Sequence, residues 1–230
     1  MPSSPPKFTG FADAKARFFH QLAKNQSREW FAAHKAEYEE GWAAPMLALV
    51  TEVAAKLDAS YPDVELEPPK VFRLHRDVRF SKDKSPYKTH ASAVVSVKRK
   101  GTVTEVPAAL YIQVGTDGVM AAGQYGMSGE GLARYRAALL DEKRGAEIAK
   151  IVAKLLKEGF ELGAMDTLKK PPRGVDPDHP RIELLRMKGL MVRFPALPAS
   201  LLTDRKLVDW LVIHGKKAAP LVRWLSFATV

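Results

Sequence analysis

Cysteine is absent from this 230-residue chain. Its absence excludes disulfides, thiolate zinc sites and a cysteine nucleophile. No apolar run approaches the roughly 18 residues that a membrane helix needs, so no membrane role is expected. Met1–Lys7 has neither the basic start nor the apolar core of a secretory signal, and the expected location is cytoplasmic. Residues 1–8 read as a disordered lead-in and 9–230 as one domain. There are no internal repeats. None of the six histidines forms H-E-x-x-H, no G-x-S-x-G occurs, and the glycines match neither G-x-G-x-x-G nor the P-loop. No metal and no cofactor is expected.

What is present is a globular composition with a local excess of positive charge. Hydrophobic residues are 46% and charged residues 27%, which calls for a packed core. The net charge is +10. Ten basic residues fall between Lys70 and Lys100, opposed only by Asp77 and Asp83, so most of the excess sits in one stretch. A concentration of this kind raises the local density of anions over one surface.

The first sixty residues read as helical. Phe11, Phe18, Phe19 and Leu22 form an apolar stripe, and Asn25 or Ser27 can cap a second helix carrying Trp30, Phe31, His34 and Tyr38. Pro45 suits a first turn, after which Met46, Leu49, Val50, Val53 and Leu57 recur at helical spacing. The period then shortens: Val71–His75, Ala93–Val97, Ala109–Val114 and Val119–Ala122 read as antiparallel strands. Lys98–Thr102 reads as a turn, and Asp117-Gly118 is a hairpin signal. Helices return after Gly123–Gly131, and a Pro/Gly-rich link, Lys169–Pro180, leads to a short helix near 181–187 that Asp178 could cap. Met191–Phe194 suggests a further strand, and Thr203 or Asp204 could cap the last helix. The expected class is α+β: a central antiparallel sheet of about four to five strands, with helices before and after it.

The candidate site is the strand–loop–strand from Arg76 to His90. Arg76, Arg79, Lys82, Lys84 and Lys88 can donate to an anion, and Ser81, Ser85 and Thr89 add hydroxyls. Asp77 and Asp83 would orient the cations by pairing, and Tyr87 completes the set. The plain alternative is a charged hairpin edge that blocks aggregation. Lys170, Arg173, Asp178 and His179 form a second polar group, also readable as a rigid connector. The chain resembles the bacterial family catalogued as domain of unknown function 2461. The resemblance rests on Asn25, Arg28–Phe31, the long Arg76–Thr89 motif, Lys170–Gly174 with Asp178–Pro180, and Ala219–Leu225. It implies that the family signature centres on the basic loop, and it implies no activity.

Three functions fit these residues. The first is a binding protein for a phosphorylated or carboxylated ligand at the loop. The second is an enzyme acting on a phosphoryl or acyl group, with Asp77, Asp83, Tyr87, His90 or His179 moving protons. The third is nucleic-acid binding, which lacks a recognised motif, and the aromatics are read as not interleaved with the basic residues. Trp30, Tyr38, Trp42, Trp210 and Trp224 read as core or interface residues. The sequence leaves the oligomeric state open.

Overall fold

The computed structural model describes residues 7–99, 101 and 107–229. The N-terminal helices are α1 (Arg17–Lys24), α2 (Arg28–Ala33), α3 (Lys35–Tyr38) and α4 (Ala44–Leu57), with a wider turn at Glu39–Ala43 joining the last two. Ser27 caps α2, its hydroxyl accepting from the Trp30 amide at 3.1 Å. Pro45 lies in the first turn of α4, where its missing donor costs nothing. Phe11 precedes α1 instead of belonging to it and stacks on Trp42 with ring centroids 5.5 Å apart.

Seven strands form one antiparallel sheet: β1 (Val64–Leu66), β2 (Lys70–Val71), β3 (His90–Arg99), β4 (Ala108–Gly115), β5 (Val119–Gln124), β6 (Glu161–Gly163) and β7 (Leu190–Arg193). Their order is β1-β3-β4-β5-β7-β6, and β2 also pairs with β3. Between β5 and β6 lie α5 (Gly129–Leu140) and α6 (Glu142–Lys157). Next come α7 (Ile182–Arg186), ahead of β7, and α8 (Lys206–Ala228), after it.

The two faces of the sheet differ in what covers them. Successive strand residues point to opposite faces. Ala93, Val95 and Val97 of β3 and Leu110, Ile112 and Val114 of β4 are buried beneath α4 and α8. Gly215 sits where α8 meets α4: a Cβ there would lie 2.8 Å from Leu57 Cδ1. The alternate residues, among them Val94, Ser96, Ala109, Tyr111 and Ala121, face away from the helices.

The α+β class stands, with a larger sheet than expected, since the three-residue strands β1 and β6 carry no readable period. Val71–His75 is not a continuous strand. Only Lys70 and Val71 pair with β3, and one isolated bridge, His75 to Tyr87, follows. The basic segment is thus a long loop pinned at its base. Of the turn expected at 98–102, Lys98 and Arg99 belong to β3 and the rest lies largely outside the described residues. Asp178 caps no helix; its own amide donates to Asp176 Oδ1, and Ile182 begins α7 without a side-chain cap. At the start of α8 it is Asp204, not Thr203, whose carboxylate accepts, from the Lys206 amide at 2.8 Å. No helix among the described residues is long and apolar enough to cross a membrane.

Candidate functional site

The basic loop is anchored through Tyr87. Its ring is buried, 3% exposed, between Phe31 at 4.6 Å and His75 at 4.9 Å. The Gln26 amide clamps its backbone: Oε1 accepts from Tyr87 N at 3.0 Å and Nε2 donates to Tyr87 O at 3.3 Å. Around this anchor, Arg76 N donates to Pro86 O and Lys88 N to Leu74 O, closing the base of the loop.

Above the base the charged groups are bound to one another. Asp83 accepts from the Ser85 hydroxyl at 2.6 Å and the Ser85 amide at 2.9 Å, and it pairs with Arg76. These bonds, with those to Ser85 foremost, hold its carboxyl down at about 2. Arg76 also reaches Ser81 Oγ and Ser85 O, both at 3.3 Å. Asp77 takes Arg79 in a two-pronged pair, Nε to Oδ1 at 3.0 Å and Nη2 to Oδ2 at 2.7 Å, and this pair holds the Asp77 carboxyl below its usual range. Lys84 donates to Val78 O at 2.9 Å, while exposed Lys82 has no polar partner among the described residues.

Two further cationic residues escape this pairing. Among the described residues Arg73 makes no hydrogen bond or ion pair, and Lys88 lies 5.2 Å over the Phe72 ring with no carboxylate in ion-pair contact. Burial, with Arg73 adding, holds the Lys88 ammonium below its usual pKa. Lys88 lines a recess of about 380 Å³ between the loop and the end of α1. Arg76, Asp83, Ser85, Tyr87 and Thr89 line it as well, while Asp77, Arg79, Ser81, Lys82 and Lys84 do not.

The recess also contains Gln26 and Asp117, which sequence reasoning had not placed at the site, and His90. Asp117 reads as a turn residue, but pairing of His90 with Gly115 brings it beside the imidazole, Nδ1 to Oδ1 3.8 Å. Burial pulls the His90 pKa down, Asp117 opposes this, and Lys88 adds to it. From Asp117 a hydrogen-bonded chain runs onto the open face of the sheet. Gln113 Nε2 donates to Asp117 Oδ2 at 2.9 Å, and Tyr111 Oη donates to Gln113 Oε1 at 2.6 Å. Such a chain fixes the position of the Asp117 carboxylate beside the imidazole.

The expectation that no aromatic stands among the basic residues is overturned by Phe80. Its side chain is 96% exposed, with the Arg79 guanidinium 5.9 Å from the ring. Lys170, Arg173, Asp178 and His179 line neither this recess nor the sheet-face cavity beyond Asp117. No cluster of three histidine or acidic side chains suited to a metal ion is found among the described residues.

A family model described as "Conserved hypothetical protein (DUF2461)" matches residues 14–224. The chain belongs to the DUF2461 family. The DUF2461 match runs from α1 into α8, leaving out only the last turn of that helix, and takes in the loop, the recess and the sheet face. Neither the curated proteins nor the solved structures include one that matches the chain.

Proposed function

We propose that this DUF2461 protein binds a small anionic ligand in the recess beside the basic loop. The observation that carries the reading is Lys88, a half-buried cation with no ion-pair partner among the described residues, whose charge is disfavoured by burial and by Arg73. An anion in the recess removes that penalty and gains charge-assisted hydrogen bonds. The Ser85 and Thr89 hydroxyls and the His90 imidazole line the same space. A volume of about 380 Å³ suits a small molecule.

Sulfate is the probe, since its charge is constant across the pH range of interest. At fixed ionic strength, replacing chloride by sulfate raises the melting temperature of the wild type and of Arg79→Ala, whose guanidinium is committed to Asp77. Lys88→Met keeps the aliphatic contact with Phe72 and loses the shift. Equal shifts in all three proteins sink the proposal.

Phe80 favours a second reading, single-stranded nucleic acid bound at the loop tip. A fully exposed aromatic flanked by Arg79, Lys82 and Lys84 has the composition of a base-stacking platform. Gel shifts with labelled oligonucleotides at about 50 mM salt, where phosphate contacts are strong, test it. Binding that Phe80→Ala leaves unchanged, or no binding, removes this reading.

A further inference from the structure

A cavity larger than the recess at Lys88 lies on the face of the sheet that the helices leave open. It encloses about 630 Å³, within the range of small-molecule sites. Its floor is Ser96, Ala109, Ala121 and Gly123. Strands usually carry β-branched or aromatic residues at such positions, and here their absence makes the hollow. Gly123 is fixed by the fold itself: its φ is +133°, and a Cβ would lie 2.4 Å from Leu190 O. Ala109 and Ala121 leave space that nothing among the described residues fills.

Apart from Ser96 on the floor, the polar groups named here stand in two places. At one, Tyr111 and Gln113 carry the hydrogen-bonded chain to Asp117. At the other is Arg193, opposite Ala121 in the β5–β7 register. Glu161 is its cross-strand neighbour on β6, yet Arg193 makes no ion pair or hydrogen bond among the described residues. In the cross-strand register Ala121 lies between Tyr111 and Arg193, and Val94 lies on the other side of the Tyr111 ring, so the row is apolar apart from its polar tips.

We infer that this cavity binds a flat, mainly apolar molecule that bears one acidic group. The flat body lies along Val94, Tyr111 and Ala121, where a planar ligand covers the most apolar area. The acid meets Arg193, a guanidinium suited to two-pronged binding of a carboxylate, sulfonate or phosphate. This site is separate from the recess at Lys88: the two share only Asp117 in their linings. An uncharged apolar ligand leaves Arg193 unused, and an anion without an apolar body leaves the floor uncovered.

The test uses the full chain with two dyes of one shape, 8-anilinonaphthalene-1-sulfonate and the neutral N-phenyl-1-naphthylamine. Fluorescence titration and calorimetry are expected to show one saturable site per chain for both. Ala121→Phe fills the floor and abolishes both. Arg193→Gln weakens the sulfonate dye about tenfold, the usual scale for one charge-assisted contact, and leaves the neutral dye unchanged. Lys88→Met changes neither. Should Ala121→Phe fail to fold, Ala109→Leu fills the same floor from a half-exposed position. The inference is overturned by the absence of saturable binding, by an Arg193→Gln effect equal on both dyes, or by dye binding that survives the filled floor. It is equally overturned if sedimentation shows a dimer that Ala121→Phe splits, since the open face then belongs to a second copy of the chain.

Discussion

The basic loop and the open sheet face are built on opposite plans. In the loop, strong polar groups are abundant and mostly engaged: Asp83 holds Arg76 and Ser85, Asp77 holds Arg79, and Lys84 holds a backbone carbonyl. On the sheet face polar groups are few, but among the described residues Arg193 is unpaired and the floor is unfilled. Binding depends on the interactions a surface still lacks. By that measure most of the conspicuous motif is a scaffold, and the binding proposed for it narrows to the recess at Lys88. The inconspicuous alanines and glycine of β4 and β5 leave more room for a ligand.

The largest effect that can break this comparison lies at the base of the loop. If the loop is a scaffold hung on Tyr87, then Tyr87→Ala costs about 3 kcal/mol or more, as for other buried aromatics. Phe80→Ala, seven residues earlier and almost fully exposed, leaves stability within about 0.5 kcal/mol. Urea midpoints of the two variants check the pair. A small loss at Tyr87 means that the loop is held by its ion pairs instead, and that its order depends on salt.

How far these regions could be read in advance follows from how local their causes are. Ser27 capping α2, Pro45 opening α4 and Asp117-Gly118 turning β4 into β5 act over a few residues, and each stands where the pattern places it. The strands β1 and β6 exist only because β3 and β7 offer edges to pair with. The loop was legible by charge, but not the pairing of Arg76 with Asp83, which depends on the path of an irregular chain. Asp117 and His90 meet through strand register across 27 positions, which no local motif encodes. The sheet-face cavity is made of side chains that are small, and smallness in a strand has no signature of its own.

A medium effect tests whether the two faces of the sheet are as unequal as the burial suggests. Val94 and Val95 are neighbours on β3 that point to opposite sides. Val95 is 1% exposed under the helices, and Val95→Ala is expected to cost roughly 2 kcal/mol by lost burial and a new void. Val94, on the open face, is only partly buried, and Val94→Ala is expected to cost under about 1 kcal/mol. Thermal or urea denaturation of the two variants measures the difference. Equal costs mean that something packs on the open face, and a second copy of the chain is then the first candidate to examine.

The smallest effect expected is in the pH dependence, and it bears on the junction between the two regions. Burial holds the His90 imidazole below its usual value of 6.5, against the pull of Asp117 and with Lys88 adding to the shift. The unfolded chain therefore takes up this proton first as pH falls. The contribution of His90 to stability is complete above pH 6.5, is lost as pH drops from there toward the lower folded value, and changes no further below it. Urea midpoints followed between about pH 8 and pH 5 are expected to fall more for the wild type than for His90→Gln. Sulfate in the recess favours the protonated ring and shrinks the wild-type decline. A decline that sulfate leaves untouched, beside a normal sulfate shift at neutral pH, places the anion at Lys88 but out of reach of His90. Parallel curves for wild type and variant show that the ring keeps its ordinary pKa, with the pull of Asp117 offsetting burial and Lys88.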